Sequence, residues 1–189
     1  PEYEIILLDI EMPKVNGMDA AEQIRTMDEN VVLMFITNMG RAYRLKAYEI
    51  PEAGRNARGT AIMNLLQLQP GEKITAMLPI REYSADKYLI MATKNGIIKR
   101  TELDAYKNIR KSGIIAINLD EGDKIVSAIL TDGSNELILV SRMGQALRIT
   151  EEDVRFMGRA SRGVCGLRLS NEDELAGAVC VNSDEKMLL

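Results

Sequence analysis

Phosphate oxygens are held in proteins by arginine and lysine side chains and by backbone amides that glycine leaves uncovered, and both features recur along this chain with a period. A glycine is followed four residues later by arginine at Gly40 and Arg44, at Gly96 and Arg100, and at Gly144 and Arg148. A second glycine then follows each first one, as Gly59, Gly113 and Gly163. A matching apolar segment comes next, as Ile62-Met63-Asn64-Leu65, Ala116-Ile117-Asn118-Leu119 and Gly166-Leu167-Arg168-Leu169. Charge keeps the same rhythm. Residues 40–62, 94–111 and 142–168 are net +3, +4 and +3, whereas 112–141 and 169–189 are each −4. Stacked repeats would merge the basic windows into a band suited to a polyanion, whose condensed counterions such a band releases.

The elements that must present this band are short strands. Repeats of 48 to 56 residues with several strands each point to a propeller or related array, in which neighbouring units bury a shared core. Tyr88–Thr93, Lys124–Thr131, Leu137–Ser141 and Leu175–Val181 are apolar or β-rich runs. Pro70-Gly71, Glu121-Gly122-Asp123 and Asp132-Gly133 supply turns between them. In the first Gly-x-x-x-Arg strand, alternation sets Ala42, Arg44 and Lys46 on one face and Tyr43, Leu45 and Ala47 on the other.

The sequence before this array reads differently. Residues 1–39 carry a net −6, with Glu4–Asp9 as a strand, Gly17–Asp28 as a helix capped by Asn16, and Val31–Thr37 as a second strand that is also able to serve as the first strand of the array. Such a change in charge along a chain signals two joined parts. The chain has no histidine, which removes Ser/His and Cys/His catalysis and the common zinc sites. Cys165 and Cys180 fall in apolar strands and are expected to be buried reduced thiols, as in a cytoplasmic protein without a membrane partner. Beginning at Pro1 and stopping within Glu185–Leu189, the sequence reads as cut at both ends, with a fourth unit just begun.

Leu8-Asp9-Ile10-Glu11-Met12-Pro13, with Gly17 and Phe35-Ile36-Thr37-Asn38, resembles the middle of a bacterial response-regulator receiver domain. That resemblance implies a phosphoacceptor at Asp9 and a switch hydroxyl at Thr37, although the family's acidic pair and later lysine strand have no counterpart. From Gly40 onward, the run Gly40-Arg41-Ala42-Tyr43-Arg44-Leu45-Lys46, then Tyr48-Glu49-Ile50-Pro51, Asn64-Leu65-Leu66, Ala116-Ile117-Asn118-Leu119 and Met157-Gly158-Arg159 resemble the carboxy-terminal DNA-wrapping domain of the gyrase A family. The resemblance implies a mainly β chain: a partial β-pinwheel of about three blades over residues 40–189, joined to a short α/β receiver-like fragment over 1–39. It also implies wrapping of double-stranded DNA in support of negative supercoiling, beside a gyrase A breakage-reunion domain and gyrase B. No cofactor, metal or catalytic residue is expected in this stretch, and the family's basic box is absent.

The expected phosphate contacts are Arg41, Arg44, Lys46, Lys99, Arg100 and Arg148 on the repeated strands, with Arg55, Arg58, Arg110, Lys111, Arg159 and Arg162 flanking the second glycines. Such contacts position a duplex without reading its sequence. Other readings stay open: a receiver that uses the blades as a partner-binding platform, a purely structural interaction module, and a chimeric fragment without function.

Overall fold

The computed structural model describes residues 31–51, 61–170 and 172–181, and its described strands pair antiparallel in three sheets. The first unit supplies β1 (Val32–Thr37), β2 (Arg41–Lys46) and β3 (Ile74–Ile80). The second supplies β4 (Tyr88–Thr93), β5 (Ile97–Glu102), β6 (Ile114–Ile115) and β7 (Ile125–Thr131). The third supplies β8 (Glu136–Ser141), β9 (Ala146–Thr150), β10 (Val164–Cys165) and β11 (Leu175–Val181). Four short 3-10 turns complete the regular structure among the described residues. The strands expected at Tyr88–Thr93 and Leu175–Val181 match in full, and those expected at Lys124–Thr131 and Leu137–Ser141 match to within one residue at an end. The strand Glu4–Asp9 and the helix Gly17–Asp28 lie outside the described residues.

Each unit opens with a hairpin whose turn is closed by the glycine amide, as in Gly40 N–H to the Thr37 carbonyl and Gly96 N–H to that of Thr93, both at 3.0 Å. The glycine is left-handed, φ 73° at Gly40 and 79° at Gly96, the conformation a three-residue hairpin connection requires. The third strand returns along the outer side of the first, giving the orders β3-β1-β2 and β7-β4-β5.

The fourth strand of a sheet is borrowed. β6 leaves its own unit and pairs with β2, with Arg41 opposite Ile115 and Ala42 opposite Ile114. β10 does the same to β5, with Val164 opposite Ile98 and Cys165 opposite Ile97. Two amides beyond each borrowed strand converge on the hairpin glycine of the preceding unit: Ala116 and Ile117 donate to Gly40 O, Gly166 and Leu167 to Gly96 O. Among the described residues β9 receives no such strand, and the third sheet has three strands.

One segment departs from the repeat. Ile62–Asn64 matches Ala116–Asn118 in sequence but forms a 3-10 turn. Here the amides of Leu65 and Leu66 donate to the Ile62 carbonyl, within the same turn, instead of to a hairpin glycine of another unit. The Cys165 thiol is exposed, not buried as expected, because β10 is an outermost strand; Cys180 is half-buried.

One apolar cluster, Phe35, Tyr43, Leu45 and Leu66, lies within the first unit, and two others lie between units. Met34, Ile36 and Ala42 of the first unit meet Leu89, Met91, Tyr106, Ile117 and Ile125 of the second in one cluster. Ile90, Ala92 and Ile98 meet Leu137, Leu139, Val154, Leu167 and Leu175 of the third in another. β4 is therefore covered on both faces, and its apolar run is continuous instead of alternating. β8 buries Leu137, Leu139 and Ser141 and leaves Glu136, Ile138 and Val140 half-exposed, the alternation of a strand with one covered face.

Candidate nucleic-acid interface

The repeated arginines occupy equivalent places. Arg44 stands opposite Met34, Arg100 opposite Ile90 and Arg148 opposite Ile138, each in the second strand of a hairpin. They are not equally available. Arg44 is exposed and donates from Nη1 to the Lys107 carbonyl at 3.2 Å. Arg100 is half-buried, with its guanidinium carbon 4.9 Å from the centre of the Tyr88 ring and Nη1 on the Glu151 carbonyl. Arg148 is exposed and ion-paired with Glu136.

The loop between β5 and β6 gathers the cations. Arg44 reaches it at Lys107; Arg41 reaches it through Nη2 on the Ser112 carbonyl at 2.7 Å. Arg159 of the third unit reaches the end of β6 through Nη1 on the Ile115 carbonyl at 2.6 Å. Lys107, Arg110 and Lys111 are exposed along the loop itself. Six cations from three units thus line one stretch, and among the described residues no carboxylate lies in ion-pair range of Arg44, Lys107, Arg110, Lys111 or Arg159. Lys46, also exposed, lies over the Tyr48 ring at 5.2 Å on the end of β2.

The loop is anchored from inside. Tyr106 and Ile109 are buried in the core between the first two units. Gly113 passes over the Tyr43 ring so closely that a Cβ there would fall 2.6 Å from a ring carbon. The Tyr43 hydroxyl donates to the buried Glu72 carboxylate at 2.7 Å, and burial followed by this bond raises its pKa.

Other sequence-derived candidates are placed elsewhere. Lys99 is not a phosphate contact: its side chain is fully buried, because neighbours on a strand face opposite ways and Arg100 takes the outward side. Arg162 is exposed, yet its Nε lies 2.7 and 2.9 Å from the two oxygens of Asp120. This guanidinium holds the Asp120 carboxyl below the usual carboxylate range. Thr37 does not serve as a switch hydroxyl: it is buried in β1 and donates to Glu72 at 2.6 Å. Arg55, Arg58 and Asp9 lie outside the described residues. Lys107 and Arg155 were missed by sequence reasoning, although the basic windows contained both; both are exposed.

Cations at the hairpin turns are neutralised instead. Lys94 and Arg142 both pair with Glu174, at 2.6 and 3.3 Å. Carboxylates also cap turn amides, Asp123 at Asn95 and Asp173 at Met143.

The three successive units coincide, segment by segment, with a known family. The family model described as "DNA gyrase C-terminal domain, beta-propeller" matches residues 32–81, 87–132 and 135–182, one segment per unit. This chain belongs to that family. The gyrase A protein of Clostridium acetobutylicum is 51% identical over 78% of this chain and 18% of its own length. That of Klebsiella oxytoca is 38% identical over 93% of this chain and 20% of its own. The crystal structure of the C-terminal domain of DNA topoisomerase IV superposes with a TM-score of 0.77 at 33% identity, covering 82% of this chain and 48% of that one. The chain thus spans about a fifth of the length of these curated gyrase relatives.

The family match begins at residue 32, so β1 and Thr37 are parts of the first gyrase-type blade. The alignment over 93% of the chain carries the gyrase similarity well upstream of Gly40, into residues that resemble a receiver, and nothing in these comparisons supports a joined receiver fragment. Among the described residues, no helix is long and apolar enough to cross a membrane.

Proposed function

We propose that this chain binds double-stranded DNA without sequence specificity and bends it along the loops that cross between blades. The observation that carries this reading is the convergence of Arg41, Arg44, Lys107, Arg110, Lys111 and Arg159 on one loop and its flanking strands. A curved polyanion can follow such a row through phosphate contacts alone, with duplex deformability setting where it prefers to lie. Similarity to gyrase A proteins supports a place in a larger type II topoisomerase, where the wrap would help strand passage introduce negative supercoils beside a breakage-reunion domain and gyrase B. The part this stretch plays there is geometric. Tyr43 and Tyr106 are buried and hydrogen-bonded, and Tyr88 lies beneath Arg100, so these phenols serve packing.

The test is fluorescence anisotropy of a random-sequence duplex titrated with the chain at several salt concentrations. The logarithm of affinity is expected to fall linearly with that of salt, by about 0.9 per phosphate neutralised. Arg44→Ala and Lys111→Ala should each weaken binding and flatten the slope by about 0.9, whatever the DNA sequence. Affinity independent of salt, or unchanged by both substitutions, contradicts the reading.

A further inference from the structure

The buried Lys99 has an arrangement that a failed surface cation would not need. Its ammonium meets three main-chain carbonyls: Ala116 at 2.8 Å, Ser161 at 3.3 Å, and Arg159. Three N–H donors are matched by three acceptors. Ala116 belongs to the exchanged segment of its own unit, already fixed on Gly40, whereas Arg159 and Ser161 belong to the loop that precedes β10 in the third unit. Asn118 holds the same loop, its amide on the Ser161 carbonyl at 3.0 Å and Nδ2 on that of Ala160 at 2.6 Å. Three successive carbonyls, 159 to 161, are therefore held from beneath, while the Arg159 guanidinium reaches across to Ile115.

We propose that Lys99 is a positioning residue for DNA, an internal clamp that fixes the backbone of residues 159–161 so that Arg159 joins the cations of the preceding unit. The inference rests on the duplex-binding reading above. A buried ammonium is a poor source of stability, since its desolvation opposes whatever its hydrogen bonds contribute, but it fixes geometry well. Burial, with the nearby charge of Arg159, lowers its pKa to about 8, so it keeps its proton at neutral pH. The hydroxyl of Tyr106, which burial does hold protonated, shares the Ala116 carbonyl at 3.3 Å. The clamp belongs to this seam alone among the described residues. The equivalent position after Gly40 is Tyr43 and that after Gly144 is the exposed Leu147, and at the first seam Arg41 on Ser112 does the holding.

The test compares Lys99→Met, Arg159→Ala and the double variant with the unaltered chain, by hydrogen exchange without DNA and by duplex affinity. In Lys99→Met the amides of Asn118 and Ser161, which donate to the Ser161 and Gly158 carbonyls, should exchange at least about tenfold faster, while those of β4 keep their protection. Arg159→Ala should weaken duplex binding in the original background and have little effect in Lys99→Met, a coupling that uniform destabilisation does not produce. Unchanged exchange at Asn118 and Ser161, or equal effects of Arg159→Ala in both backgrounds, overturns the proposal. If the unaltered chain binds no duplex, the DNA reading fails, and the exchange result alone decides whether Lys99 holds the loop. Should Lys99→Met not fold, Asn118→Ala, which removes the side-chain bond to Ala160 from an exposed position and keeps the main-chain bond to Ser161, is expected to show the same coupling in weaker form; its absence there overturns the proposal equally.

Discussion

Gly96→Ala is expected to lower the stability of the chain by about 4 kcal/mol or more, while Gly144→Ala, at the equivalent place one unit later, costs about 1 to 2 kcal/mol. Both glycines are left-handed, φ 79° and 87°, so both substitutions carry backbone strain. Their surroundings separate them. A Cβ at Gly96 would lie 2.2 Å from the Leu167 carbonyl oxygen, whereas one at Gly144 meets nothing within 4 Å. Gly96 O also receives the amides of Gly166 and Leu167, which seat β10, so relief of the clash has to displace the borrowed strand. Urea unfolding of the two variants measures the difference. Equal midpoints would mean that strand exchange contributes little to holding neighbouring units together.

Replacing Glu72 by leucine should cost about 3 to 5 kcal/mol, and by glutamine distinctly less. The carboxylate, whose side chain is fully buried, accepts the Thr37 and Tyr43 hydroxyls and the Gln69 amide at 2.6 to 2.7 Å, with Arg41 Nε 4.0 Å away. Leucine strands three donors together, and an unsatisfied buried donor costs more than a hydrogen bond gains. The loss should extend to the surface. Tyr43 underlies Gly113, and Arg41 donates Nε to its hydroxyl and Nη2 to Ser112, so a released tyrosine loosens the loop that bears Arg110 and Lys111. Glu72→Leu is therefore expected to weaken duplex binding at temperatures where the variant remains folded. Unaltered urea midpoint and unaltered affinity together would contradict this role.

Much of the array is legible in the chain itself because its signals are local. Leu175–Val181 is an apolar run bounded by turn residues, and the matched glycines at 40, 96 and 144 mark one left-handed turn used three times. The exchange of β6 and β10 is not legible in that way. Each is two residues long, too short for periodicity, and its place is set by a carbonyl in the preceding unit, as when Gly40 receives Ala116 and Ile117. Ile62–Asn64 likewise resembles its counterparts in sequence and differs in shape.

The interface was readable as charge and less so as geometry. The basic windows contained every cation on the crossing loop, including Lys107. Lys99 beside Arg100 illustrates the missed signal: strand alternation forbids both from facing outward, so one had to turn in, and composition does not say which. Arg162 failed as a free cation for a similar reason, since its partner Asp120 is 42 residues away. Thr37 shows the limit of a short resemblance. Phe35-Ile36-Thr37 is an apolar strand in either of two folds, and only its pairing with β2 and β3 and the bond to Glu72 place it in a blade.

The central claim, that a duplex lies curved along the loops crossing between blades, is tested most directly by energy transfer between dyes on the two ends of a short random-sequence duplex of about 40 base pairs, well below the persistence length of DNA. Transfer should rise when the chain binds, fall back with added salt, and be reduced by combined replacement of Arg44, Lys107, Arg110 and Lys111 with alanine. Binding that leaves the ends as far apart as in free DNA, or bending that survives loss of those four cations, would contradict the account.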